Sequence, residues 1–228
     1  MPFPDDEIFD TAGSCSVALS TNLTEGPCYY EHNVGPDIAA GLTGVPMQLS
    51  LRLIDGDCQP LPNHVVEVWH CDARGLYSGD TSRSADADRF GIESDCGINL
   101  GTAFCTEDDE FAVSTTFFRG TLINNDRGRV DFATCFPGWY AGRTLHIHVA
   151  VSDPDGERRI VSQLTVPDEL VTEIFTTHEL YLDRGDQDTP LGAGTDMFFP
   201  ATGFEEFLMT VERNDDGSML VYHNIQVV

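Results

Sequence analysis

The sequence predicts an all-β fold, an antiparallel β-sandwich with long loops and one or two short helices. Short apolar runs recur along the chain, and turns rich in Asp, Gly and Pro separate them. Only residues 167–178 have a convincing helical pattern, and we expect one or two turns there because the apolar spacing fails at Thr176. A chain of 228 residues is ample for one large domain of this kind. We therefore expect an N-terminal arm over residues 1–23, followed by a β-sandwich domain over residues 24–228.

The strands are predicted from apolar residues at alternating positions and from the turns between them. An Asp-, Gly- and Pro-rich turn joins the first two, which suggests an antiparallel pair. The third and fourth flank a turn at residues 124–128 and are expected to pair back. The last two flank an Asp-Asp-Gly turn, a strong hairpin signal. In chain order the predicted strands span residues 45–54, 65–70, 117–123, 129–133, 144–151, 159–166, 207–212 and 218–227.

The charge balance is strongly acidic, with 38 Asp and Glu residues against 12 basic residues, all of them Arg. Nucleic acids and anionic membranes are poor partners for such a surface. No apolar run approaches the roughly 20 residues of a membrane span. The absence of Lys, ordinarily a common residue, suggests a salt-exposed source, because salt screens self-repulsion. An acidic secreted protein is the plainer alternative.

The chain contains seven cysteines, a high number for a reduced cytosolic enzyme of this size. Because the number is odd, at least one thiol is free or pairs with another chain. The N-terminus lacks the pattern of a secretory leader. The compartment therefore stays open between secreted, with the leader absent from this chain, and cytoplasmic. The spacing suggests three local disulfides without deciding between them: Cys96 with Cys105, Cys15 with Cys28, and Cys58 with Cys71.

The stretch FPGWYAGRTLHIHVAV, residues 136–151, gathers several reactive side chains in a short span. If its second half is a strand, His146 and His148 share a face, with Cα atoms roughly 6.5 Å apart. Two imidazoles so placed can bind one metal ion. The Pro-Gly turn upstream brings Tyr140 and Arg143 close to them. Taken alone, the two histidines could instead form a polar strand face in water.

A second tyrosine, Tyr77, follows the predicted strand at residues 65–70 and lies between glycines in the motif WHCDARGLYSGD. A tyrosine at a strand exit can project into a pocket, and an aromatic side chain on the surface or at a rim is the alternative. Residues 81–113 are long, polar and acidic. We interpret them as an excursion over the surface, because such charge runs are usually solvated loops.

The motifs WHCDARGLYSG and FPGWYAGRTLHIHV resemble those of the intradiol ring-cleavage dioxygenases, non-haem iron(III) enzymes that open catechols between their two hydroxyls. TEGPCYY, GVPMQLSLRLID and FFRGTLINNDRGRVDFATCFPGWY fit the same family. The resemblance covers residues 24–167 and implies the β-sandwich catalytic domain of that family. The chain looks more like the short, extracellular-type members than the cytosolic ones, which carry an extra helical N-terminal region.

The resemblance also implies a role for each residue that matches the motifs. Tyr140 corresponds to the ligand that leaves when substrate chelates the metal. Arg143 corresponds to an active-site arginine that stabilises charge on the ring, and Gln163 to a glutamine on the oxygen-binding side. The implied cofactor is Fe(III), and the implied partners are a small aromatic diol and O2, with a homo-oligomer left open. The implied iron ligands are Tyr77, Tyr140, His146 and His148.

The chemistry of these donors independently favours iron(III). A phenol has a pKa near 10, so only a strong cation ionises two of them at neutral pH. Zinc more often takes Cys, His and carboxylate ligands. A non-catalytic transthyretin-like or carboxypeptidase-regulatory-like module is the rival from another class, suggested by RLIDGDCQPLPNHVVEVWH. An iron enzyme for a larger phenol or a flavonoid is the second alternative.

Overall fold

The computed structural model describes residues 3–10, 21, 23, 29, 35–79 and 110–227. Within these residues the fold is the predicted sandwich, built from two four-stranded sheets with long loops. The helices are α1 (Glu110–Ser114) and α2 (Asp168–Thr177), with 3₁₀ turns at Asp6–Phe9, Leu191–Ala193 and Phe204–Phe207. The strands are β1 (Pro46–Ile54), β2 (Val65–Trp69), β3 (Arg119–Ile123), β4 (Arg129–Cys135), β5 (Ile147–Ser152), β6 (Arg158–Leu164), β7 (Thr210–Arg213) and β8 (Met219–Gln226).

The first sheet has the strand order β4–β1–β8–β7, and the second has the order β3–β2–β5–β6. Strand β1 pairs antiparallel with β4 but parallel with β8, where Leu49 lies beside Val221. The pairs β2–β3, β2–β5, β5–β6 and β7–β8 are all antiparallel. Among these eight strands every pair except β1–β8 is therefore antiparallel, as the predicted fold class requires. The closing hairpin β7–β8 is confirmed.

One large apolar core lies between the sheets and fixes the position of β5. Leu49 and Leu51 of β1 pack in the same buried cluster as Val149 and Val151 of β5. Burying a Leu or Val side chain contributes roughly 1.5–3 kcal/mol. Because β2 and β5 occupy the centre of the second sheet, neighbouring strands hold them on both sides. A side chain on these two strands therefore has a well-defined position.

Two predicted strand pairs are wrong, because β1 and β2 lie in different sheets, as do β3 and β4. The turns themselves are present. Asp55 Oδ1 accepts hydrogen bonds from the backbone N–H of Asp57 and Gln59, and Gly128 N donates to Asn125 O. A turn reverses the chain, but in a sandwich the reversal can lead to the facing sheet. Strand β1 pairs instead with β4 and with β8, the latter from the far end of the chain, and no local signal reports either pairing.

Helix α2 is longer than predicted, with ten residues rather than one or two turns. The prediction ended it early because the apolar spacing fails at Thr176. In the structure the Thr176 hydroxyl donates to the carbonyl oxygen of Thr172, one turn back, which satisfies the side chain inside the helix. Val171 and Ile174 bury the inner face against the core. In the described part of the chain, no helix is long and apolar enough to cross a membrane.

The suggested pairing of Cys58 with Cys71 is wrong. Cys58 is disulfide-bonded, whereas Cys71 is a free and buried thiol. The other two suggested disulfides lie outside the described residues, as does most of the predicted excursion over residues 81–113. Of the predicted arm, residues 3–10 lie against the first sheet, where Phe9 packs on Tyr222. The division of the chain at residue 23 stays a prediction.

Candidate metal centre

Two glycines allow the two tyrosine-bearing segments to pack backbone against backbone. A Cβ atom on Gly138 would lie 2.1 Å from the carbonyl oxygen of Asp72. A Cβ atom on Gly75 would lie 2.3 Å from the carbonyl oxygen of Trp139, and Gly75 has a φ of +85°, a conformation that favours glycine. The segment that follows β2 therefore lies directly against the segment that follows β4.

The two histidines lie at the start of β5. His148 is in the strand and pairs with Trp69 of β2 and Gln163 of β6, while His146 precedes the strand by one residue. The strand begins later than predicted, yet the two imidazoles still converge, with their Nε2 atoms 3.2 Å apart. The His148 ring stacks on Trp69 at a centroid distance of 4.8 Å. A central strand and a buried indole thus fix this side chain.

The four predicted ligands meet in one buried cluster. Tyr77 Oη lies 3.1 Å from His148 Nε2 and 3.4 Å from His146 Nε2. Tyr140 Oη lies 3.3 Å from His146 Nε2. Each of the four residues is at most 5 % exposed. Two phenol oxygens and two imidazole nitrogens therefore point at a common centre that is shielded from water.

A backbone contact fixes which nitrogen of His146 is free. Its Nδ1 donates to the carbonyl oxygen of Thr144 at 2.6 Å, so the proton lies on Nδ1 and the Nε2 lone pair faces the cluster. Burial lowers the pKa of His146 to about 3, and the nearby Arg143 charge acts in the same direction. Burial likewise holds the pKa of His148 well below its ordinary value. Both imidazoles are neutral, the form that binds metals.

The tyrosines are not ionised by the protein alone. Burial raises the pKa of Tyr77 well above its ordinary value, and the neighbouring Tyr140 adds to this. Burial also raises the pKa of Tyr140, although the Arg143 charge opposes it. Without a further cation both phenols stay protonated. A bound cation of high charge would reverse this, because coordination can deprotonate a ligand.

The arrangement fits a metal ion with mixed oxygen and nitrogen ligands. Atoms bound to one ion at about 2.0–2.2 Å lie roughly 3–3.5 Å from one another, which matches the contacts between the four donors. Among the described residues, no group of three or more His, Cys, Asp and Glu could hold a metal. The usual zinc set is thus missing from this part of the chain, and the donor set with two phenols remains.

Arg143 and Gln163, the other two predicted site residues, border the same cluster. Arg143 Nη1 donates to Tyr140 Oη at 3.4 Å, and Nη2 donates to Gln163 Oε1. Gln163 is fully buried on β6. The structure therefore brings together all six residues that the sequence singled out.

One further residue, Asp196, was missed by the sequence reasoning. Its carboxylate accepts a hydrogen bond from Arg143 Nε at 2.9 Å, across 53 positions of sequence. It lies in a loop-rich stretch and carries no motif, and the chain contains 38 acidic residues. No local signal distinguishes it from the others.

With this geometry established, the comparison with known families is decisive. A family model described as "Dioxygenase" matches residues 32–178, which contain all four predicted ligands, Arg143 and Gln163. The chain belongs to the intradiol ring-cleavage dioxygenase family. Its sandwich fold is also similar to that of a solved intradiol dioxygenase from Tetranychus urticae, with a TM-score of 0.72 and 24 % identity over 92 % of this chain and 94 % of that one.

Curated members of this family are also similar in sequence. Catechol 1,2-dioxygenase of Acinetobacter baylyi is 28 % identical over 149 residues, which is 62 % of this chain and 44 % of that protein. Hydroxyquinol 1,2-dioxygenase of Nocardioides simplex is 31 % identical over 150 residues, which is 66 % of this chain and 43 % of that protein. The matched region thus spans less than half the length of these relatives.

Proposed function

We propose that this protein is an iron(III)-dependent dioxygenase that opens a catechol-type ring between its two hydroxyls and yields a muconate-type product. The observation that carries the proposal is the convergence of two tyrosine Oη and two histidine Nε2 atoms, 3.1–3.4 Å apart. Family membership supplies the reaction class. The related catechol and hydroxyquinol enzymes support a small aromatic diol and O2 as substrates.

Tyr77, Tyr140, His146 and His148 are proposed to hold the iron. Two phenolates are hard anionic ligands that suit a hard trivalent cation, and the two neutral imidazoles complete the set. A bound iron(III) would supply the charge that ionises the phenols and the Lewis-acid and redox chemistry that prepares the diol for reaction with O2. The chain supplies position, protons and charge.

The environments of the two tyrosines differ, which supports distinct roles for them. Tyr140 Oη faces the guanidinium of Arg143 at 3.4 Å, so a phenolate released from the metal there meets a hydrogen-bond donor with a positive charge. Tyr77 Oη faces both imidazole Nε2 atoms instead. We assign Tyr140 as the ligand that leaves when the diol binds. Its free Oη then takes a proton from a diol hydroxyl, which is general-base work.

Arg143 and Gln163 form the polar wall beside the metal ligands. Arg143 lies in a buried, water-poor site, where a fixed positive charge stabilises developing negative charge strongly. Gln163 Oε1 accepts a hydrogen bond from Arg143 Nη2 and thereby helps to fix the direction of the guanidinium. We propose that Arg143 stabilises charge on the ring and that Gln163 borders the side on which O2 reacts.

The rival interpretation, a non-catalytic transthyretin-like or carboxypeptidase-regulatory-like module, explains the strand pattern but not the site. Such a module gives no reason to bury two phenols and two imidazoles around one point. A buried polar group without a strong partner costs free energy. The four-donor cluster therefore favours the enzyme. A larger phenol or a flavonoid as substrate stays within the same chemistry.

The test is oxygen uptake by the iron(III)-loaded protein with catechol and with hydroxyquinol, together with mass analysis of the product after reaction with ¹⁸O2. We expect uptake of one O2 per ring, with both oxygen atoms in a ring-opened diacid. A zinc-loaded sample serves as the control. Stoichiometric iron without uptake on any diol, or a product that keeps its ring, would contradict the proposal.

A further inference from the structure

Asp196 is an unusually well-bonded carboxylate for a loop residue. Its side chain is 1 % exposed. Oδ2 accepts hydrogen bonds from Arg143 Nε at 2.9 Å and from the backbone N–H of Thr144 at 2.7 Å. Oδ1 accepts from the backbone N–H of Phe198 at 2.8 Å and of Phe199 at 2.9 Å. Four donors thus converge on one buried side chain.

These contacts keep the Asp196 carboxylate charged. Burial alone would raise its pKa, but the Arg143 charge and the three backbone N–H groups outweigh burial and lower it. A charged carboxylate beside a guanidinium forms stronger hydrogen bonds than a neutral acceptor does. Because the carboxylate oxygens are also bound by three backbone groups, Asp196 cannot follow Arg143 if the guanidinium moves. It acts as a fixed point.

Each of the three nitrogen atoms of the Arg143 guanidinium donates a hydrogen bond to a different partner. Nε is held by Asp196, Nη1 donates to Tyr140 Oη, and Nη2 donates to Gln163 Oε1. The guanidinium is planar, so fixing Nε fixes the directions of both amino groups. The ring of Phe198 also covers it at 4.5 Å.

The geometry points to Asp196 as a positioning residue of this enzyme: it holds the guanidinium of Arg143 so that its two amino groups face Tyr140 and Gln163. The inference rests on the proposed function, because the role of Arg143 in the reaction does. Asp196 acts on the reaction through its hydrogen bond with Arg143. The effect of Asp196 on the reaction therefore depends on the side chain of Arg143.

The loop around Asp196 offers a matched control. Asp168 is also an aspartate that organises this loop, accepting hydrogen bonds from Gln187 Nε2 and from the backbone N–H of Leu191 and Gly192. Within the described part of the chain, none of the hydrogen bonds of Asp168 goes to Arg143. Asp168→Asn therefore loosens the same loop without removing the partner of the guanidinium.

The decisive variant is Asp196→Asn, which keeps the size of the side chain but points N–H donors at Arg143 Nε or at backbone N–H groups. Loss of an outer partner in a metal site typically costs about 10–100-fold. We expect turnover to fall by that factor while bound iron stays near the wild-type level. Arg143→Ala is expected to cost on the order of 10²–10³-fold, as for loss of one charge-stabilising donor.

Asp196→Asn is measured both in the wild-type protein and in the Arg143→Ala variant. The comparison separates a positioning role from a general effect on stability. If Asp196 acts through Arg143, Asp196→Asn should change turnover little when Arg143 is already Ala, because the two effects are coupled. A purely structural role predicts that the two losses multiply. Asp168→Asn should lower the midpoint of thermal unfolding and keep turnover close to wild type. If Asp196→Asn does not fold, Asp196→Glu, which retains the charge, is measured in both backgrounds.

Hydrogen exchange in the metal-free protein tests the positioning of Arg143 without measuring turnover. The Nε–H proton of Arg143, assigned by its loss in Arg143→Ala, should exchange slowly with solvent in wild type and Asp168→Asn, and rapidly in Asp196→Asn. Wild-type turnover on a catechol is measured first. Its absence would overturn the proposed function, and the positioning role with it. An active wild type with an equally active Asp196→Asn, or with losses that multiply, would overturn the positioning role alone.

Discussion

Replacement of His146 or His148 by alanine is expected to abolish oxygen uptake and to remove most of the bound iron. The two Nε2 atoms are 3.2 Å apart and both contact Tyr77 Oη, so each variant deletes one of the four proposed donors. Loss of a mere partner to a ligand costs about 10–100-fold in metal affinity, and loss of a ligand should exceed that. Iron content by elemental analysis and oxygen uptake on catechol check both halves of the prediction.

His64→Ala is the matched control for these variants. His64 is partly buried, and its Nδ1 contacts the carbonyl oxygen of Pro62, at the end of β2 opposite to Trp69 and the site. It should retain iron and turnover. The midpoint of unfolding, measured without metal, separates loss of the ligand from loss of the fold. Full iron content in both His146→Ala and His148→Ala would remove the strand pair from the site.

The two tyrosines are expected to respond unequally to replacement by phenylalanine. Tyr77→Phe deletes the oxygen that faces both imidazole nitrogens, and it should lose most of the iron and the activity. Tyr140→Phe deletes the oxygen that Arg143 also contacts, and it should keep part of the iron while losing turnover. The measurement is iron content against oxygen uptake for each variant.

Tyr222→Phe is the control for the tyrosine variants, since its hydroxyl donates to Glu212 on the β7–β8 hairpin and takes no part in the site. It should match wild type in both quantities. Equal retention of iron by Tyr77→Phe and Tyr140→Phe would contradict the distinct roles assigned here. Undiminished turnover of Tyr140→Phe would contradict its role as the base.

The fold class and the histidine pair of the candidate site could be predicted from the sequence because both rest on short-range patterns. Side chains two residues apart in extended backbone point to the same side. His146 and His148 therefore converge even though the strand begins at Ile147. Tyr77 and Tyr140 come from separate segments, and family motifs rather than periodicity placed them in one site. Glycines at 75 and 138 are the physical reason those segments can touch.

Long-range pairing was beyond the reach of the sequence. The turns after β1 and β3 reverse the chain, but they carry it to the facing sheet. The parallel neighbour of β1 comes from β8, at the other end of the chain. Asp196 was not predicted as a site residue for the same reason, because it contacts Arg143 across 53 positions of sequence. Such contacts form only in the assembled fold and produce no recognisable spacing in the sequence.

The most direct test of the two-tyrosinate iron centre is the visible absorption spectrum of the wild-type protein loaded with stoichiometric iron(III). Phenolate bound to iron(III) gives a charge-transfer band in the visible, so the protein should be red to burgundy. Addition of a catechol without O2 should shift the band as Tyr140 is replaced by substrate oxygens. Zinc, with a filled d-shell, should leave the protein colourless. A colourless protein that contains stoichiometric iron(III) would contradict the site, and with it the dioxygenase function.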